Sequence, residues 1–219
     1  MRCPICDYSC DSFVNWTKTV TYHSCPNCLY IFKDPTSRLS LEAEKERYLR
    51  HRNRIDDPEF VGYFERFLAD SVVSMLHPEC KALDFGSGPE PVLAQLLKIK
   101  YEMNVAIYDP YFANDASVFE DMYDLITCTE VIEHLKDPLE TFALFSRLLR
   151  NGGHLAIMTQ FHPNDENDFL QWFYPRDITH IGFFAERTFA VLAERFHFTM
   201  VSTNHFNTIT FRKNEEIQP

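Results

Sequence analysis

Leu83-Asp84-Phe85-Gly86-Ser87-Gly88-Pro89-Glu90 ends a short apolar run at 81–85 and leads into a helical apolar stripe over 92–97. The pattern is strand, glycine-bearing turn, helix. A turn of this kind lets a ligand approach bare backbone, with N–H groups at the helix start pointing toward it. The chain has only 6 glycines, and two stand here. Downstream, strand-like runs at 104–108, 124–129 and 154–159 alternate with helical patterns. One helix covers 138–149 and is expected to stop at Asn151-Gly152-Gly153. Another is marked by Phe189, Leu192, Ala193 and Phe196 at i, i+3, i+4, i+7. Closing strands are expected near 197–202 and 206–212. This alternation predicts an α/β chain built on a mostly parallel sheet.

Asp109 ends the strand after the glycine turn, where a carboxylate can accept both ribose hydroxyls of an adenosine. Nicotinamide dinucleotides and S-adenosylmethionine share that feature. A G-x-G-x-x-G fingerprint would need glycine at position 91, which is Pro91.

Asp84-x-Gly86-x-Gly88, Asp109 and Thr129-Glu130-Val131-Ile132-Glu133-His134-Leu135 together resemble a class I S-adenosylmethionine-dependent methyltransferase. The E-V-I-E-H-L stretch is especially similar to the ubiquinone and menaquinone biosynthesis type, and the resemblance covers roughly 81–212. It implies a Rossmann-like sheet of seven strands, the last antiparallel. It also implies a methionine moiety over Asp84, Gly86, Ser87 and Gly88, ribose on Asp109 beside Pro110, and the sulfonium near Thr129 and Glu130. The chain departs from the family where only fourteen residues separate Asp109 from Asp124. A crossover helix and strand must be abbreviated there, which leaves Glu120 and Asp121 as candidates to meet the adenine amine.

Loop 160–186 is long and aromatic, and in a parallel sheet it leaves at the ligand edge. Its Trp172, Tyr174 and Arg176 are candidate acceptor-binding residues. His180 is the candidate general base, with Asp177 and Thr179 expected to fix its ring and raise its basicity. The aromatics can also be read as a packing cap. His134 reads either as a base or as a residue that shapes the cofactor pocket. Positioning alone supplies much of the acceleration for an already activated methyl group.

Upstream, Cys3-Pro4-Ile5-Cys6 and Cys25-Pro26-Asn27-Cys28 are separated by eighteen residues, the spacing of a zinc ribbon. Two knuckles present four thiolates to one ion, and the metal supplies folding energy that so short a segment lacks. A redox pair or an iron–sulfur site is the rival reading, and Cys10 and His23 are alternative ligands. Cys80 and Cys128 read as core residues. The expected organisation is a ribbon with its own core at 1–38, a helical linker or cap at 39–78 and the methyltransferase domain at 79–219. Ser40 is the expected N-cap of a linker helix. The basic stretch 47–54 reads as a solvated charged face or an anion site.

With 45% hydrophobic and 24% charged residues, disorder is excluded. The net charge of −11 argues against a generic nucleic-acid binder. No apolar run is long enough for a membrane span or resembles a secretory signal, so a cytoplasmic location without membrane association is expected. The ribbon resembles that of some sugar C-methyltransferases and some ribosomal RNA methyltransferases. The expected function is methyl transfer from S-adenosylmethionine to a small-molecule acceptor, a sugar or other metabolite. The alternatives are an RNA methyltransferase docking through the ribbon, and a cofactor-binding protein without turnover. Residues 1–38 carry four Lys or Arg against three Asp, too neutral a balance to favour RNA.

Overall fold

The computed structural model describes residues 1–49 and 54–215, so positions 50–53 of the basic stretch lie outside the described residues. The N-terminal segment forms a small meander of β1 (Asp11–Asn15), β2 (Val20–Ser24) and β3 (Ile31–Lys33). Helix α1 (Leu41–Tyr48) starts at Ser40, whose hydroxyl accepts from the Ala43 N–H at 3.3 Å. Helix α2 (Pro58–Ser71) begins at Asp57, whose carboxylate accepts from the N–H groups of Glu59 and Phe60. Proline at the first helical position suits this end, because its missing N–H would have no partner there anyway. The helix buries Phe64, Phe67 and Leu68 against the sheet.

The α/β body follows as β4 (Lys81–Phe85), α3 (Val92–Tyr101), β5 (Asn104–Tyr108), β6 (Tyr123–Thr129), α4 (Pro138–Leu148) and β7 (Leu149–Met158). Next come α5 (Glu166–Gln171), β8 (Gly182–Phe183), α6 (Glu186–Arg195), β9 (Phe198–Thr203) and β10 (Thr208–Lys213). The main sheet runs β5-β4-β6-β7-β10-β9. Its first four strands are parallel, and β10 is antiparallel to both neighbours. The mostly parallel sheet with an antiparallel last strand is therefore present.

Three expectations need correction. The sheet has six strands among the described residues, not seven. Between Asp109 and Asp124 the chain makes only a 3-10 turn, Ala116–Glu120, because the connection is too short for a strand and its crossover helix. Second, the glycines at 152 and 153 do not stop α4, which passes directly into β7 at Leu149. They form an irregularity inside β7, where pairing with β6 jumps from Tyr123↔Leu149 to Leu125↔His154 and Gly152 takes φ +78. Third, the N-terminal segment has no core of its own. Cys3, Ile5, Cys25, Cys28, Tyr30 and Phe32 belong to the same hydrophobic cluster as Phe184, Phe189 and Leu192.

The reason lies at β3. It pairs with β2 on one side and with β8 on the other, in the register Ile31↔Phe183 and Phe32↔Gly182. The segment therefore shares a four-stranded sheet with loop 160–186. Side chains extend the seam: His162 shares a hydrogen with the Leu29 carbonyl at 2.6 Å, and the Thr188 hydroxyl donates to that of Cys28 at 2.9 Å. Cys80 and Cys128 are buried core residues, as expected.

Gly182 shows how tight the seam is. A Cβ there would collide with the hydroxyl of Tyr30, itself buried. Gly182→Ala is expected to cost about 1–3 kcal/mol through overpacking, read as a lower thermal midpoint. Adding Tyr30→Phe, which removes the colliding oxygen, should recover part of the loss. Additive penalties in the double variant would refute the steric cause.

Candidate active site

A cavity of about 610 Å³ opens at the carboxyl ends of β4, β5 and β6. The chain leaves β4 for β5 on one side and returns to β6 on the other, the switch point at which open α/β sheets bind ligands. All eight expected cofactor residues line it: Asp84, Gly86, Ser87, Gly88, Asp109, Pro110, Thr129 and Glu130.

The two glycines have different tasks. Gly86 takes φ +81, and an added Cβ would strike Val131, with Val131 Cγ1 at 2.8 Å. Its bareness serves packing of the turn against Val131 rather than ligand approach. Gly88 takes φ +68, and a Cβ there would meet nothing within 4 Å, so this position faces open cavity. The Ser87 hydroxyl oxygen is buried beside it without a partner among the described residues. Asp109 is held from behind. One oxygen accepts from Gly88 N at 3.0 Å; the other accepts from the N–H groups of Tyr111 and Phe112 at 2.8 and 3.1 Å. A carboxylate offers about four acceptor sites, so roughly one remains for a ligand, not the pair a bidentate ribose contact needs. Asp84 is buried, accepts from the Thr127 hydroxyl at 3.0 Å, and is pushed up to about 6 by burial. Glu120 and Asp121, the adenine candidates, do not line the cavity, whereas Tyr111 and Phe112 do.

The other end of the cavity is crowded with acceptors. Glu130 takes φ +53, a left-handed backbone that non-glycine residues rarely adopt. Its carboxylate accepts from the hydroxyls of Tyr63 at 2.6 Å and Tyr174 at 3.0 Å. Tyr174 also donates to Glu133 Oε1 at 2.5 Å and lies 3.1 Å from the Thr159 hydroxyl. One phenolic hydrogen thus stands among three oxygens. Glu133 Oε2 is buried with no partner among the described residues. Burial, then the neighbouring Glu133 charge, pushes Glu130 up to about 8, and burial raises Glu133 as well.

His134 and His180 border the same carboxylate. His134 Nδ1 lies 3.1 Å from the Thr179 carbonyl and His180 Nδ1 lies 2.9 Å from that of Tyr174. A carbonyl can only accept, so both Nδ1 atoms carry the hydrogen and both Nε2 atoms present lone pairs. Those lone pairs lie 3.8 and 4.0 Å from Glu133 Oε1. The three ligand atoms stand within 4.8 Å of one another, a donor set for a cation.

Several expectations about loop 160–186 are corrected by this geometry. His180 and His134 do line the cavity, but Trp172, Tyr174, Arg176 and Asp177 do not. Tyr174 stands behind the cavity, holding the two glutamates. Arg176 is exposed and reaches the Gln171 carbonyl, and Trp172 packs on Phe169 and Tyr174. The Asp177 carboxylate bonds Arg47 and Thr179, not the His180 ring. His180 is not made more basic: burial, then the charge of His134, lowers it to about 3. The residues missed by sequence reading are Glu133, Glu44, Tyr48, Tyr63 and Tyr111. Glu133 was visible within E-V-I-E-H-L; Glu44 and Tyr48 share α1, while Tyr63 and Tyr111 come from other elements, and no local pattern joins these to the glycine turn.

At the N-terminus, the sulfurs of Cys3, Cys6, Cys25 and Cys28 converge within 4.8 Å, with Cys3–Cys28 and Cys6–Cys25 each at 3.5 Å. The two knuckles match. Asp7 and Leu29, one residue beyond each, take φ 56 and 62 and donate to the carbonyls of Cys3 and Cys25. Burial pushes the Cys25 thiol up, whereas the hydrogen bond with Cys28 lowers Cys3 to about 5. Cys10 and His23 lie outside the group: Cys10 approaches the Tyr8 carbonyl, and His23 bridges Ser12 and Asp34.

Residues 30–203 match a family model described as "Methyltransferase domain". The chain belongs to the methyltransferase domain family. Curated relatives are ubiquinone biosynthesis O-methyltransferases. That of Serratia proteamaculans (strain 568) is 32% identical over 77 residues, covering 35% of this chain and 32% of the relative. That of Sodalis glossinidius (strain morsitans) is 28% identical over 123 residues, 56% of this chain and 47% of the relative. The chain thus spans about a third to a half of the length of these relatives. Among solved structures, the Burkholderia thailandensis 1,6-didemethyltoxoflavin-N1-methyltransferase, with bound 1,6-didemethyltoxoflavin and S-adenosylhomocysteine, shares the fold. It has TM-score 0.52 at 17% identity and covers 90% of this chain and 96% of its own. An O-methyltransferase family protein from the same organism gives TM-score 0.51 at 12% identity, over 80% and 70% of the two chains. In this methyltransferase domain the glycine turn, the acidic strand end and the glutamate–histidine cluster share one cavity.

Gly86→Ala in the methyltransferase domain should lose stability from two sources, the Val131 collision and a left-handed backbone costing roughly 1–2 kcal/mol. Val131→Ala should relieve only the first. A denaturant-based double-mutant cycle showing no coupling between 86 and 131 would refute this division.

Proposed function

We propose that the chain moves a methyl group from S-adenosylmethionine to an oxygen, nitrogen or carbon of a small-molecule acceptor, a sugar or other metabolite. The observation that carries this is the cavity with a ligand-binding turn at one end and unsatisfied acceptors at the other. The turn fits the cofactor. Gly88 leaves open space, the Ser87 hydroxyl is buried without a partner among the described residues, and Asp109 is held rigid with one acceptor site left. Asp84, Gly86, Ser87, Gly88, Asp109, Pro110, Thr129 and Glu130 would hold it. When bound, it supplies an activated methyl group on a sulfonium.

The chain's own residues orient the acceptor and receive its proton. The lone pairs of His134 and His180 Nε2 offer acceptor hydrogen bonds to a hydroxyl or amine at the cavity floor. Glu130, pushed up to about 8, is in its ionised form a stronger base than His180 at about 3 and is the better matched of the two to take up the proton lost on methylation. In this reading His134 and His180 are catalytic by contact with the acceptor. Asp177 only positions His180, through the turn it shares with Thr179. A second reading rests on the shortage of donors. Glu133, His134 and His180 would hold a divalent cation that binds the acceptor's oxygen. Tyr174 supports the cavity wall by holding both glutamates, Trp172 packs behind it, and exposed Arg176 lies away from the acceptor end.

The cysteines at 3, 6, 25 and 28 form, in this proposal, a structural zinc ribbon at 1–38, followed by a cap at 39–78 and the methyltransferase domain at 79–219. Seven cysteines that serve this reading as metal ligands and unpaired thiols rather than disulfides suit the reducing cytoplasm. Among the described residues no helix is long and apolar enough to cross a membrane. RNA as acceptor is not favoured, since among the described residues the cavity lining offers one lysine, Lys136, against six carboxylates, and a non-catalytic role is not favoured in a chain of the methyltransferase domain family.

S-adenosylhomocysteine should bind the purified chain, and Asp109→Ala should weaken it by about 10–150-fold, the loss of a charge-assisted contact of ~1.5–3 kcal/mol. Calorimetry showing affinity for NAD and none for S-adenosylhomocysteine would overturn the assignment. Metal analysis should find one zinc per chain that Cys3→Ser releases. Because the ribbon shares its core with α6, that variant should lower the unfolding midpoint of the whole chain. A ribbon that melts alone while the rest keeps its midpoint would contradict the shared core. A second, chelator-sensitive metal that survives Cys3→Ser but not Glu133→Gln would establish the cation reading.

A further inference from the structure

Lys33 is the last residue of β3 and only 3% exposed. Burying an ammonium costs several kcal/mol unless it is well partnered, so a solvated lysine at a strand end needs less explanation than this one. Its Nζ donates to the Ile178 carbonyl at 2.8 Å, and its backbone N–H donates to the Ile181 carbonyl at 2.9 Å. One residue therefore grips the chain on both sides of Thr179 and His180. Between those grips lies the Thr179 carbonyl that takes the His134 hydrogen, and the His180 ring that bonds the Tyr174 carbonyl. The segment is tied onward to the site by Ile181 N donating to the Glu133 carbonyl at 2.8 Å. The charged groups facing Lys33 are Asp177, Lys18 and Arg38, and burial lowers Lys33 to about 8.

We propose that Lys33 is a positioning residue for the methyl-transfer site: clamping 178 and 181 holds both imidazoles with Nε2 turned toward Glu133. The proposal rests on the reading of that cluster as the acceptor end of the cavity. It gives the cysteine-bearing segment a part in the chemistry. β3 reaches the loop through its backbone, but the Lys33 side chain is what extends the grip past Gly182–Phe183 to the turn that carries His180. An apolar residue in its place would keep the β3–β8 pairing and lose that grip.

The test uses the full chain, Lys33→Met, and Lys213→Met as a matched control. Lys213 is also buried and donates to a backbone carbonyl, Leu149 at 2.9 Å, but on β10. Long-range proton–nitrogen spectra of the histidine rings report which nitrogen carries the hydrogen. In the wild type, His134 and His180 should both show hydrogen on Nδ1. In Lys33→Met the separation between the two ring nitrogens of each should collapse toward an averaged tautomer. Lys213→Met should keep the wild-type pattern even if it lowers the thermal midpoint as much. S-adenosylhomocysteine affinity should stay within about threefold in both variants, since the glycine turn is untouched. If Lys33→Met does not fold, Lys33→Gln, with a shorter donor, should give a partial collapse. A folded Lys33 variant with the wild-type pattern would overturn the proposal, as would an equal collapse in Lys213→Met or a wild type lacking Nδ1 hydrogens. Wild-type protein that fails to bind S-adenosylhomocysteine would instead overturn the functional reading, leaving the ring spectra to decide Lys33 separately.

Discussion

The backbone pairing of Ile31 and Phe32 with Phe183 and Gly182 is the contact on which the rest of this structure depends. It turns a small cysteine-bearing meander into one wall of a larger sheet system, and it fixes where loop 160–186 can run. With both ends of the loop tied, at Thr159 to the Asn207 carbonyl and at β8 to β3, its middle must fold over the carboxyl edge of the main sheet. That delivers Tyr174 and His180 to the glutamates of the E-V-I-E-H-L turn. The aromatic rings of Tyr22, Phe169 and Phe183 then pack edge-on across the seam. Such ring pairs add about 0.5–1.5 kcal/mol each beyond area burial, so the seam is a cohesive core rather than a surface contact.

The cavity itself is organised by an imbalance. Glu130, Glu133, His134 and His180 bring more acceptors to its floor than Tyr63 and Tyr174 bring hydrogens. In water this would cost little. In a buried site, each unmet carboxylate oxygen favours a proton or a cation, which is why burial raises both glutamates and depresses both histidines. The site is therefore built to receive positive charge or a hydrogen-bond donor. In the proposed reaction, a sulfonium and an acceptor hydroxyl or amine, or a bound cation, would answer that demand in the same cavity. The left-handed backbone of Glu130 fits the same picture, as strain kept where a carboxylate must point against its local preference.

Much of this was legible in the chain. The glycine turn, Asp109 and the strand–helix alternation set the parallel sheet and the ligand edge, because period and turn chemistry are local properties. The fourteen residues after Asp109 already required the next helix and strand to be abbreviated, and among the described residues the sheet proves one strand short of the seven expected. The two C-x2-C pairs placed four sulfurs together for the same reason: each knuckle is a local turn, repeated with matching hydrogen bonds. His134 and His180 also reach the cavity as read. Their protonation could not be read, since it depends on burial and on two carbonyls, of Thr179 and Tyr174, that only the folded loop brings near. Asp177 looked like the partner of His180 because it is three residues away in sequence, yet its oxygens turn to Arg47 and Thr179.

The sequence by itself determined the fold class, the ligand turn, the acidic strand end and the cysteine tetrad, all written in short-range spacing. Only the tertiary structure decided that the cysteine-bearing segment has no separate core and that Tyr63, Glu44 and Tyr48 from the N-terminal helices wall the cavity. It also decided that Gly86 is bare for Val131 and Gly88 for open space, and that a buried lysine of β3 grips the histidine loop. These are contacts between residues tens to more than a hundred positions apart. Their partners are chosen by which faces must be buried together and by where buried polar groups find hydrogen bonds, and neither choice leaves a periodic mark on the chain.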